Sequence, residues 1–268
     1  MFSLFISIGL SLASTNSDKE FVEEVPILMY HHVRIPPPQA KRLEKILTVT
    51  PSDFFQQMNA LYQAGYRTIS LNQLFEKKWE KRFIITFDDG YKDVIQEAYP
   101  ILESFGFKAT IFVITNEIGK PGHLDWWDIK FLESQGWEVG SHTVSHQNLC
   151  HLSMQNQWKE IYQSKVILEK ALGHKVYFLS YPAGRFNEQV INLVKMAGYK
   201  GAVSTLPGRE NKIEDIYKLK RVRVNGGTPL SYFMEKVLGN QAKRNTKISV
   251  SKLQRPTRSV SPLKSPSQ

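Results

Sequence analysis

Arg82-Phe83-Ile84-Ile85-Thr86-Phe87-Asp88-Asp89-Gly90 runs from a β-branched and aromatic segment into two adjacent carboxylates and a glycine. The run reads as a short buried strand, and Asp-Gly reads as its stop. Two acids side by side at the end of a hydrophobic strand repel each other, and a cation is the simplest compensation. Neighbours in extended chain point in opposite directions, so the two acids need not share a task. One can hold a metal while the other stands beside it as a free base. An ordinary Asp-Gly turn with solvated acids is the plain alternative.

Gly140-Ser141-His142-Thr143-Val144-Ser145-His146 supplies the partner. Two His four residues apart meet on one face of a helical turn and can share a metal. Trp137-Glu138-Val139-Gly140 reads as another short strand, so this pair also sits just past a strand end. Two imidazoles and one carboxylate make three protein ligands and leave a position open for water. That is the pattern of a catalytic zinc site rather than a closed structural one.

Outward from these two stretches, strand and helix alternate. Val25 to Val33 reads as the first core strand and Lys41 to Lys45 as a polar, basic loop. Ser52 or Asp53 can cap a helix reaching about Ala64, and Asn72 to Lys78 reads as a short helix. Asp93 to Phe105, Asp125 to Gln135, Ser153 to Leu172 and Pro229 to Leu238 read as helices, as does a segment capped by Asn187. Ala109 to Ile114, Val176 to Leu179, Tyr199 to Thr205 and Leu219 to Val224 read as strands. This alternation predicts an α/β fold, a parallel sheet with crossover helices. A closed or partly closed β/α barrel explains why chemistry collects after strand ends. The 268 residues, 41% hydrophobic and 12% aromatic, suffice for one globular domain.

The ends differ from the middle. Residues 1–20 hold an apolar run too short for a comfortable membrane span; it reads as a signal-peptide core or apolar leader, so export to the periplasm, envelope or exterior is expected. Residues 21–239 form the expected domain. Residues 240–268 contain seven Lys and Arg and no acid, out of a net charge of +10. They read as a disordered basic tail able to touch an anionic envelope surface. A specific nucleic-acid partner would leave the metal constellation unexplained. The single Cys150 excludes an intramolecular disulfide and reads as a buried small hydrophobe. A monomer is expected.

The motif residues carry a resemblance. Thr86-Phe87-Asp88-Asp89-Gly90 with Ser141-His142-Thr143-Val144-Ser145-His146 resembles the first two motifs of the polysaccharide deacetylases of carbohydrate esterase family 4. Phe178-Leu179-Ser180-Tyr181-Pro182-Ala183-Gly184 resembles the third, in the form seen in the poly-β-1,6-N-acetylglucosamine deacetylases. Val25-Pro26-Ile27-Leu28-Met29-Tyr30-His31-His32-Val33 resembles the opening of that branch. The similarity spans roughly Val25 to Val224 and implies a distorted barrel of about seven strands in a single domain.

What the resemblance implies is amide hydrolysis on N-acetylglucosamine units of an envelope or extracellular polysaccharide. Asp89, His142 and His146 would hold a divalent metal, zinc (Zn2+) with Co2+ or Ni2+ competing. Asp88 would be the general base and the Ala183 backbone N–H the oxyanion donor. Tyr181, Pro182 and Trp127 are expected to bind substrate. Two departures from the common family pattern stand out. Ser180 occupies the position of an Arg that orients the base, and Arg185, Arg221 and Arg223 are the candidate substitutes. No late His supplies the general acid; His31 matches the branch's alternative, ahead of His32. Peptidoglycan or chitin-oligomer deacetylation, and a non-catalytic carbohydrate-binding role on the same fold, are the alternatives.

Overall fold

The strands close on one another in chain order. The computed structural model describes residues 22–76 and 81–239, so the expected leader (1–20) and basic tail (240–268) lie outside the described residues. Seven strands form the barrel: β1 (Ile27–Tyr30), β2 (Arg82–Phe87), β3 (Thr110–Val113), β4 (Glu138–Ser141), β5 (Phe178–Ser180), β6 (Gly201–Pro207) and β7 (Leu219–Arg223). Each pairs in parallel with the next, and β7 pairs with β1 to close the ring. The ring is distorted at β2, whose one edge takes the short strand Arg67–Thr68 low down and β1 higher up.

Alternation along the strands sorts side chains into two cores. Ile27, Ile84, Phe112, Phe178, Val203 and Leu219 pack together inside the barrel. Their neighbours Leu28, Ile85, Ile111, Leu179 and Val222 belong to a larger core shared with the surrounding helices. That second core explains why the strands read as near-continuous apolar runs. Further along, the inward positions turn polar: Thr86 then Asp88 on β2, Ser180 on β5, and Arg221 on β7. The open end of the barrel is therefore lined by chemistry, the closed end by hydrocarbon.

The helices are α1 (Arg42–Leu47), α2 (Pro51–Gln63), α3 (Tyr99–Ser104), α4 (Trp126–Ser134), α5 (Met154–Trp158), α6 (Ser164–Leu172), α7 (Glu188–Met196) and α8 (Leu230–Leu238). Asn187 caps α7 as expected, and Asp125, read as the start of α4, is its cap. Five local expectations need correcting, the first being the Asp93–Phe105 helix, which opens on a π turn, Val94–Ala98, ahead of α3. The Lys41–Lys45 stretch, read as loop, lies largely in the helix Arg42–Leu47, where Arg34 donates to Glu44 at 2.9 Å. The α2 cap is Thr50, accepting from Asp53 N at 3.1 Å, because Pro51 suits the first helical position. The expected helix at Asn72–Lys78 is a single 3₁₀ turn at Leu71–Gln73 where it is described. Finally, the long helix from Ser153 to Leu172 is interrupted between α5 and α6 by a π turn, Lys159–Gln163. No helix among the described residues is long and apolar enough to cross a membrane.

Candidate active site

The acid pair sits where β2 ends. Asp88 N donates to Tyr30 O of β1 at 3.0 Å, so Asp88 still continues the sheet and keeps the inward direction of Thr86. Asp89 and Gly90 then both take φ of 73°. This left-handed step is uncommon for a non-glycine residue. It turns Asp89 back toward the barrel mouth, so both carboxylates reach one site although extended neighbours would diverge.

The two histidines come from a loop, not from a helical turn as the four-residue spacing suggested. Thr143 and His146 have φ of 66° and 58°, which no helix accommodates. Thr143 Oγ1 accepts from His146 N at 3.1 Å and closes the loop, which tertiary contacts hold in place. Glu160, in the π turn, accepts from Ser145 N at 2.8 Å and Ser145 Oγ at 2.6 Å. His142 Nδ1 lies 2.7 Å from Ser180 O and donates to it, which directs Nε2 toward Asp89. That Nε2 is 3.3 Å from Asp89 Oδ1, and His146 Nε2 is 3.6 Å from the same oxygen. The three ligand atoms lie within 4.8 Å of one another. Two imidazole nitrogens and one carboxylate oxygen, oriented by the surrounding backbone, fit a divalent ion with an open position.

Arg221 settles the question left by Ser180. Its guanidinium is 1% exposed and grips Asp88 in a bidentate pair, Nη1–Oδ1 2.8 Å and Nη2–Oδ2 2.7 Å. The remaining donors go to Ser204 O at 2.8 Å, Thr86 Oγ1 at 3.0 Å and Ser180 Oγ at 3.2 Å. Ser180 thus accepts from the arginine for which its small side chain leaves room. Burial alone would raise the Asp88 pKa, but the charge and hydrogen bonds of Arg221 hold it well below the usual carboxylate range. Burial likewise opposes ionisation of Asp89, yet the hydrogen bond and charge of His142 lower it to about 2.

Of the two adjacent histidines, His32 is committed elsewhere. It is buried, pairs with Asp93 at 2.6 Å and stacks on Tyr91 at 3.6 Å. His31 feels both Asp88 and Asp89, but burial dominates and lowers its pKa to about 4. Tyr91, which the sequence reading missed, lies against Asp89; burial first and this anion second push its hydroxyl up.

The third motif is placed less as expected. Ala183 is exposed with φ of 51° on the 3₁₀ turn Pro182–Gly184, and its N–H donates to no acceptor among the described residues. Pro182 is buried and heads that turn. Tyr181 does not line the mouth: it is 0% exposed, its hydroxyl donates to Tyr217 O at 2.8 Å, and its ring stacks on Phe186. Phe178 and Ser180 face inward, so Tyr181 must face the helices. Trp127 is 51% exposed on α4 and stacks on Phe131; His123 packs on Tyr91 at 5.1 Å and lines one cavity with Asp89. Cys150, expected to be buried, is partly exposed and outside the ligand cluster.

A family profile described as polysaccharide deacetylase matches residues 76–202. YxkH of Bacillus subtilis (strain 168), assigned by name to the polysaccharide deacetylases, is 35% identical over 216 residues, 78% of this chain and 75% of that one. The chain belongs to the polysaccharide deacetylase family. The deacetylase is also 29% identical over 178 residues to the poly-beta-1,6-N-acetyl-D-glucosamine N-deacetylase of Staphylococcus aureus (strain MSSA476), covering 58% of this chain and 60% of that one. Among solved structures it resembles the Streptococcus pyogenes deacetylase PplD in complex with acetate. That likeness has a TM-score of 0.74 and 28% identity, over 81% of this chain and 99% of the other.

Proposed function

We propose that this deacetylase removes N-acetyl groups from N-acetylglucosamine units of an envelope or extracellular polysaccharide, using a divalent cation held by Asp89, His142 and His146. The observation that carries the reading is the cluster of three convergent ligand atoms beside a separately clamped carboxylate. A binding protein has no use for a second acid fixed by its own arginine. The staphylococcal relative's name and the acetate in the streptococcal structure support the substrate class. When bound, the cation acidifies a water and polarises the acetyl carbonyl.

The chain's own residues supply the rest. Asp88, kept ionised and oriented by Arg221, accepts the proton from the attacking water. The Ala183 N–H donates to the oxyanion that forms on the acetyl carbon. The amine leaves only if protonated. His31 is neutral at rest, so the proton it delivers is the one Asp88 took from water. One water is consumed, and acetate and a free amine result.

The test is acetate release from β-1,6-linked N-acetylglucosamine oligomers, with peptidoglycan and chitin fragments alongside. We expect release that chelator abolishes, that zinc or cobalt restores, and that Asp88→Asn lowers by at least ~100-fold. Equal release from Asp88→Asn and the parent would sink the assignment.

A further inference from the structure

One charged side chain at the barrel mouth has no task in this scheme. Arg223 is the last residue of β7, two along from Arg221, so the two project to the same side of the strand. Arg221 starts level with Ile27 and Ile84 and reaches up past Thr86 to Asp88. Arg223 starts two residues higher, beside Met29, about 6.6 Å further along a strand that rises ~3.3 Å per residue. A side chain of the same length and direction therefore overshoots Asp88 and ends at the opening. Arg223 has no hydrogen-bond or ion-pair partner among the described residues, although it is half-buried. Burial and the neighbouring Arg221 make its charge less favourable, and Asp88 offsets this only in part. That Asp88 is already taken, by both nitrogens of Arg221.

The charge around it has a sign. Arg221 and Arg223 balance Asp88 and Asp89, so a divalent cation leaves the mouth with two positive charges in excess. A half-buried guanidinium with free donors beside such an excess is a receptor for an oxyanion.

We propose that Arg223 is a substrate-binding residue that grips an acidic substituent, carboxylate or phosphate ester, carried by the glycan close to the acetamido group. This rests on the deacetylase reading above and narrows it from neutral N-acetylglucosamine homopolymers to glycans bearing an anion.

The experiment compares three probes: a neutral N-acetylglucosamine trisaccharide, an oligosaccharide containing N-acetylmuramic acid, and one containing N-acetylglucosamine 6-phosphate. Acetate release is measured for the full chain loaded with zinc and for its Arg223→Gln and Arg223→Lys variants. The parent should prefer at least one acidic probe. Arg223→Gln should cut that preference by about tenfold or more, through KM rather than kcat, and Arg223→Lys should restore part of it. Added salt should erode the parent's preference and leave the variant's unchanged. A preference that is absent in the parent, or equal in parent and Arg223→Gln, overturns the proposal. Which acidic probe responds tells carboxylate from phosphate. Calorimetric titration of the same probes into the Asp88→Asn protein keeps the two readings apart. If the parent releases no acetate from any probe, the reaction is wrong. Tighter binding of an acidic probe that Arg223→Gln abolishes would still uphold the arginine's role, and equal binding would refute it.

Discussion

Asp88 keeps a negative charge where it is 2% exposed, and it does so because Arg221 and its hydroxyl and carbonyl partners replace the lost water. Removing one partner of such a pair leaves an uncompensated buried charge. The neighbouring His31 solves the same problem by staying neutral. Its pKa is about 4 in the fold and about 6.5 in an unfolded chain. Between those values the unfolded state binds more protons, so stability rises with pH across that window. Metal-free protein should therefore lose stability as pH falls from about 6.5 toward 4, and His31→Gln should lose less over the same window. Urea midpoints at three pH values in that range decide it; parallel curves for parent and variant would remove His31 as the cause. At this scale the sequence was most informative where chemistry is unusual. Two acids ending an apolar strand, and two histidines after another, stand out without a structure. Arg221 could be narrowed only to one of three. Knowing that Leu219 faces the barrel interior makes Arg221 and Arg223 inward, Arg185 is exposed, and only the structure shows that Arg221 is the one that reaches Asp88. The same parity argument would have excluded Tyr181.

The long element after the histidine loop shows a different limit. Its ends were readable, Ser153 as cap and Gly173 with φ of 81° as stop. The π turn between α5 and α6 was not, since its register is imposed by what Glu160 binds rather than by local propensity. Nor were the positive φ values of Thr143 and His146, which residue types alone do not announce. Glu160 is the tie between helix and loop: both its oxygens accept from Ser145, next to His146 of the candidate metal cluster. Glu160→Gln keeps the size but can satisfy only one of those donors. We expect it to weaken cobalt or zinc binding by about tenfold, the scale of losing a hydrogen bond that orients a metal-binding loop, with little change in melting temperature of the metal-free protein. Titration followed by the cobalt absorption spectrum reads this directly. Unchanged affinity would mean that the loop's other hydrogen bonds, such as Asn116 N to Val144 O, suffice to hold it.

Over the whole molecule, the barrel interior is filled to the point where Gly140 and Gly201 have no room for a side chain. A Cβ on Gly140 of β4 would sit 2.4 Å from two ring carbons of Phe112 and 3.2 Å from Phe178 O. Gly140→Ala must displace an aromatic ring from the interior layer, at a cost of about 1–3 kcal/mol. Urea unfolding should show the loss as a lower midpoint at constant slope; a neutral substitution would mean that the interior is looser than these contacts. The fold class was legible because period-2 and period-3.6 stretches alternate. The distortion at β2, where two strands share one edge, was not, since pairing partners are set by the closed ring and not by any one segment.

Closure in chain order also fixes when the site comes into being. Arg221 and Asp88 are 133 residues apart, and β7 is both the last strand among the described residues and the one that seals β1. A growing chain exposes the acid pair and the histidine loop long before the arginine has been synthesised. Until then Asp88 has no counter-charge and the ring has two open edges, which favour mispairing. The clamp on Asp88 and the closed sheet thus arise in one event, when β7 docks against β1.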